Sequence, residues 1–111
     1  MSDVNLFVYG ELRRAEVLRA VIGRLPEAEP AILEHHARRP NPETGYFEVR
    51  SAPGARVAGL LLRHLAEADL RRVDEYEGDG YERVEVSVAP CHRSVGTVRA
   101  QTYLASSRSR D

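Results

Sequence analysis

The sequence predicts an α+β fold, a small curved sheet or barrel carrying two helices, and three observations lead there. Six short apolar runs read as strands: Leu6–Tyr9, Ala31–His35, Tyr46–Arg50, Val57–His64, Arg83–Ala89 and Thr97–Leu104. The last two alternate, with Val84, Val86 and Val88 on one face and Val98, Ala100 and Leu104 on another. Only two segments carry helical spacing, so strands outnumber helices and no regular βαβ rhythm emerges.

The first strand is a continuous apolar run, Leu6-Phe7-Val8, that stops at Gly10. The first helix, Glu16–Ile22, places Val17 and Val21 beside Leu18 and Ile22 and ends at Gly23. Between Leu25 and Arg56, Pro26, Pro30, Pro40, Pro42 and Pro53 are expected to mark turns between strands. The second helix spans Ala66–Tyr76 and precedes Gly78. No internal repeat or linker divides the chain. One domain is expected over residues 1–105, with the polar tail 106–111 disordered.

Composition excludes several function classes. A chain of 111 residues with 42% hydrophobic content can bury a core covering one small ligand. Its 16 basic residues are all arginine and are balanced by 17 acidic ones, so no net field draws nucleic acid or an anionic membrane. Arg38, Arg39 and the tail arginines read as solvated surface. No apolar run approaches the roughly 20 residues of a membrane span, and the start MSDVN lacks a signal-like segment. Cys91 is the single cysteine, which suits a reducing compartment, and a cytoplasmic location is expected. Adjacent His35 and His36 on one strand point to opposite faces and cannot chelate one ion. Cys91 and His92 have the same geometry, and no metal or cofactor is expected.

The second helix holds an anomaly. Ala66, Leu70 and Val73 form a stripe at steps of four and three, and the next member is Glu77. On a projection of about 100° per residue, Glu77 falls within roughly 10° of the Leu70–Val73 direction and Glu75 nearly opposite. Either Glu77 faces the interior, lining a cavity with its pKa raised by desolvation, or the helix has ended by Tyr76 and Glu77 is solvated. The first alternative is the profile of a general base.

Taken together, VYGELR at Val8–Arg13, Val57-Ala58-Gly59, and Val73-Asp74-Glu75-Tyr76-Glu77-Gly78 followed by Tyr81-Glu82-Arg83 resemble the gamma-glutamylcyclotransferase-like superfamily, including its AIG2-like and gamma-glutamylamine cyclotransferase branches. The resemblance runs from about Asn5 to Leu104, in the family's order and spacing. It implies a small mixed β-barrel flanked by helices. It also implies an enzyme that cyclises a small γ-glutamyl amide to 5-oxoproline and releases an amine, without metal or cofactor. The family's first motif, usually Tyr-Gly-Ser/Thr-Leu, holds the glutamyl end of the substrate and corresponds to Tyr9, Gly10, Glu11 and Leu12. Its acid/base is the Glu before the glycine of the second motif, Glu77 here. Tyr81 and Arg83 match downstream positions, where they either contact substrate or brace the barrel; Tyr9 points either to the cavity or into the core.

Glu11 departs from the family's hydroxyl residue. If its charge faced a substrate carboxylate at about 6 Å, with an effective dielectric of about 20, repulsion would cost roughly 2–3 kcal/mol. If it faces solvent, or Arg13 or Arg14 neutralises it, the backbone donors around Gly10 remain usable. A non-catalytic small-ligand-binding or accessory module on the same fold is therefore the alternative, with Glu11 as the discriminating residue.

Overall fold

The computed structural model describes residues 4–43, 45, 47–91 and 96–105. Five strands, β1 (Val4–Val8), β2 (Ala28–Pro40), β3 (Phe47–Leu65), β4 (Tyr81–Pro90) and β5 (Val98–Ala105), close into a barrel in the order β1-β3-β2-β4-β5. All neighbours are antiparallel except β1 and β5, whose parallel pairing closes the barrel and makes it mixed. Two helices, α1 (Ala15–Ile22) and α2 (Glu67–Glu77), cover one side.

The apolar run of β1 is continuous because both of its faces are buried. Leu6 and Val8 meet the helices, packing with Leu18 and Ile22 of α1, Leu70 and Val73 of α2, and Leu62 and Leu65 of β3. Phe7 and Tyr9 point the other way, into a second core with Leu33, Val57, Leu61 and Val88. The stripe and turn readings of the helices therefore hold. Gly23 ends α1 in the left-handed region and donates its N–H to the Arg19 carbonyl at 2.8 Å. The entry of α2 is fastened by Asp69, which accepts the Ala66 N–H at 3.0 Å and pairs with Arg24 at 2.6 Å. Burial pushes the Asp69 carboxyl up, but those bonds and the Arg24 charge outweigh it and hold it below the usual range.

The strand boundaries differ from expectation in the middle of the chain. Runs expected at Tyr46–Arg50 and Val57–His64 are one 19-residue strand, β3, and the run expected at Ala31–His35 extends over Ala28–Pro40. Pro30 and Pro53 lie within strands and do not terminate them, whereas Pro40 ends β2 as expected. Pro30 needs no donor there, and its carbonyl accepts the Cys91 N–H at 2.9 Å. Pro53 sits where the ladder is interrupted, since residues 52–55 of β3 oppose His35 alone, between the pairs Glu34↔Arg56 and His36↔Ser51. His35 takes φ 65° at this bulge and its Nδ1 accepts the Gly54 N–H at 3.2 Å, so simple alternation with His36 is lost. The expected tail, 106–111, together with Tyr46 and His92, lies outside the described residues.

Candidate active site

A cavity of about 260 Å³ opens where β1 ends, below the last turn of α2. It is lined by Phe7, Val8, the loop Tyr9–Leu12, Gly45, Tyr76, Glu77, Tyr81 and Tyr103. Its size suits a small metabolite fragment, below the roughly 300–1,000 Å³ of sites for drug-sized ligands.

Glu77 is the half-buried carboxylate in this cavity. Because α2 continues through Glu77, the stripe of Leu70 and Val73 carries it inward, while Glu75 is exposed. Gly78, with φ 82°, then ends the helix. Burial pushes the Glu77 carboxyl up to about 7, and no nearby cation offsets this among the causes of the shift. A carboxyl titrating near neutrality can both take and return a proton.

The opposite wall is the loop after β1. Gly10 leads into one 3₁₀ turn, Glu11–Arg13, whose closing bond runs from the Arg13 N–H to the Gly10 carbonyl at 3.0 Å. That pattern leaves the preceding N–H groups without intrahelical partners, and no side chain caps them. Tyr9 is buried, and its hydroxyl donates to the Tyr103 carbonyl at 2.6 Å. Burial, reinforced by Glu77, raises the Tyr9 phenol far above its ordinary value, so it stays a donor. Arg38 donates to the Tyr9 carbonyl at 3.0 Å and fixes the loop from β2.

Glu11 borders the cavity, yet its side chain is 53% exposed and its carboxylate meets Arg14 at 3.4 Å. Leu12 is buried in the helix-side core. Tyr81 lines the cavity from the start of β4. Arg83 does not; it pairs with Asp74 at 3.1 Å, donates to Gln101 at 2.8 Å, and lines a broad open groove of about 930 Å³ on the other side of Tyr81 and Tyr103. Tyr103, Tyr76 and Asp74 carry no role in the sequence reading, yet the first two line the cavity. A bulky phenol in β5 directly after the small and polar residues Ala100 to Thr102 was the available signal for Tyr103. Among the described residues no three His, Cys, Asp or Glu side chains cluster to hold a metal, and no helix is long and apolar enough to cross a membrane.

Known proteins are similar to this chain in sequence and in fold. The family model described as gamma-glutamyl cyclotransferase, AIG2-like, matches residues 6–111. Protein AIG2 C of Arabidopsis thaliana is 30% identical over 100 residues, which cover 90% of this chain and 60% of that protein. AIG2-like protein D of the same plant is 29% identical over 100 residues, covering 90% of this chain and 66% of its own. The chain thus spans about 60–66% of the length of these curated relatives. A solution structure of an Arabidopsis thaliana protein superposes with a TM-score of 0.86 at 25% identity, covering 97% of this chain and 72% of the other. A structure named gamma-glutamyl cyclotransferase superposes at 0.81 with 20% identity, over 95% and 68% of the two chains, and shares the fold. With the family model matched along almost its whole length, the chain belongs to the gamma-glutamyl cyclotransferase, AIG2-like family.

Proposed function

We propose that the protein cyclises a small γ-glutamyl amide, releasing 5-oxoproline and an amine, with Glu77 as general acid/base. The observation that carries this reading is the Glu77 carboxyl, pushed up to about 7 inside a cavity whose other wall is the Tyr9–Leu12 loop. Family membership supports a cyclotransferase.

The reaction is intramolecular, so the site has little covalent work to do. Glu77 takes a proton from the substrate α-ammonium, and the freed amine attacks the γ-carbonyl to form the ring C–N bond. Oxyanion charge develops on the former carbonyl oxygen, where the loop N–H groups around Gly10 are the donors at hand. As the old amide C–N bond breaks, the ring nitrogen gives up a second proton. The departing amine receives both protons through Glu77 and leaves as an ammonium ion. Folding the substrate so that amine and carbonyl meet falls to the aromatic walls, Tyr76, Tyr81 and Tyr103. Tyr9 braces the loop through its own hydroxyl.

The alternative, a module that binds without turnover, drew on Glu11 entering the site. That side chain is half-exposed beside Arg14, which supports the enzyme reading over the binding module. Screening γ-glutamyl amines and dipeptides for 5-oxoproline release tests the proposal. Release from at least one compound, abolished in Glu77→Gln, is expected; no release from any compound moves the binding module ahead.

A further inference from the structure

We propose that Asp74 is a positioning residue for Glu77, docking the last turn of α2 onto the barrel through Tyr103 and Arg83; the role rests on the acid/base reading above.

Apolar packing does not hold this turn. Leu70 and Val73 are the last buried apolar residues of α2; Glu75 and Tyr76 are exposed, and Gly78 breaks the helix. An end of this kind frays unless something fastens it. Asp74 does so twice. Its carbonyl accepts the Gly78 N–H at 3.0 Å, and its carboxylate reaches across to the sheet. There it accepts the Tyr103 hydroxyl and meets Arg83 through Nε at 3.1 Å and Nη2 at 3.3 Å. Arg83 and Tyr103 are register partners on β4 and β5, and Arg83 is itself anchored by Gln101. The carboxylate therefore docks onto a rigid, paired surface.

One residue links both halves of the site. Tyr103 takes the Tyr9 hydroxyl on its carbonyl and gives its own hydroxyl to Asp74. The separation of the Glu77 turn from the Tyr9 loop is consequently referred to a single β5 residue. Proton transfer demands hydrogen-bond reach, and about 1 Å of misplacement can cost on the order of a hundredfold. The titratable groups that line the cavity with Glu77 are Tyr9 from the loop after β1, Tyr76 from α2 itself, Tyr81 from β4 and Tyr103 from β5, with Glu11 at the rim.

The deciding experiment follows the Glu77 carboxyl by isotope-edited NMR across pH in the ligand-free protein. Tyr103→Phe changes no charge. If the strap positions Glu77, its loss lets the last turn loosen and hydrate, lowering the Glu77 midpoint by about half a pH unit or more. Arg83→Gln sharpens the sign: losing a nearby cation by itself would raise that midpoint, whereas loosening lowers it. Val88→Ala, in the barrel-interior core, should reduce thermal stability and leave the midpoint where it was. On an active substrate, Tyr103→Phe should lower kcat more than it raises KM. A Glu77 midpoint unmoved in folded Tyr103→Phe, or raised in Arg83→Gln, overturns the role. Because the titration needs no turnover, a parent that releases no 5-oxoproline removes the proposed activity while the positioning of Glu77 is still decided. A parent Glu77 that titrates like a free carboxylate overturns both.

Discussion

The Tyr9 hydroxyl donates to the Tyr103 carbonyl at 2.6 Å across 94 positions of sequence, joining the loop after β1 to β5. The parallel β1–β5 seam has one register pair, Leu6↔Gln101, and side chains supply much of its closure. Thr102 Oγ1 donates to the Phe7 carbonyl at 2.8 Å, one step along the same seam. The barrel is thus completed beside the candidate site by bonds from side chain to backbone.

Tyr9→Phe should therefore weaken the fold as well as the site. The Tyr103 carbonyl would lose its buried donor, a loss worth about 1–3 kcal/mol. Urea unfolding of the variant measures it; a change within about 0.5 kcal/mol would mean that the bond contributes little to closing the barrel.

Glu77→Gln separates chemistry from stability. The amide keeps the shape but cannot shuttle protons, so 5-oxoproline release should fall by roughly 10²- to 10⁴-fold. A folded variant turning over at the parental rate would remove Glu77 from the mechanism.

The same carboxyl sets a pH dependence with a defined sign. Its folded pKa, about 7, lies above its ordinary 4.5, so the folded protein binds more protons between those values. The contribution of Glu77 to stability is fully present below pH 4.5 and is lost as pH rises through about 7. After allowing for partial exposure, this amounts to on the order of 2 kcal/mol. Glu77→Gln should remove that decline, gaining stability relative to the parent at pH 8 and little at pH 4; parallel stability curves would contradict it. Activity in the parent should rise as pH climbs through the same midpoint, since the base must be ionised to start the reaction.

Much of this site was legible because helix phase is strict. Leu70 and Val73 give the direction Glu77 takes if the helix continues, which α2 does, and Leu6-Phe7-Val8 announces a buried strand. The long β2–β3 hairpin was hidden by Pro30 and Pro53, which read as breakers because a sequence does not reveal which strand positions need a donor. Tyr103 and Asp74 stayed silent for a related reason: their roles depend on which backbone and which helix end they meet, and those partners are set only by closure of the barrel. Arg83 was open between bracing and contact, and only the register of β4 on β5 places it beside Asp74.

Gly59, in the Val57-Ala58-Gly59 motif, shows a glycine required by close approach. A Cβ there would lie 2.3 Å from the Val8 carbonyl oxygen and 2.7 Å from the Phe7 ring. The backbone oxygen cannot swing aside, so Gly59→Ala must shift β1 against β3 and should cost about 1–3 kcal/mol. Since Val8 leads directly into Tyr9, the same shift should lower turnover beyond the effect of stability. Unchanged melting and unchanged activity would show that β1 yields without consequence.

Glu11→Ser restores the hydroxyl usual in the family and removes one negative charge from the loop that opens on the cavity. The structure turns the Glu11 side chain to solvent, 53% exposed and shared with Arg14 at 3.4 Å, while the 3₁₀ turn keeps its backbone donors whichever residue stands there. An exposed and partly neutralised charge is screened, so its removal should change affinity for 5-oxoproline by no more than about twofold. The Glu77 midpoint should also stay put, because burial and not a neighbouring carboxylate raises it. Calorimetric titration of both proteins with 5-oxoproline across pH reads the two quantities together. Tightening by about tenfold or more, with a lowered midpoint, would mean that Glu11 turns inward when ligand binds and that its charge opposes the substrate carboxylate.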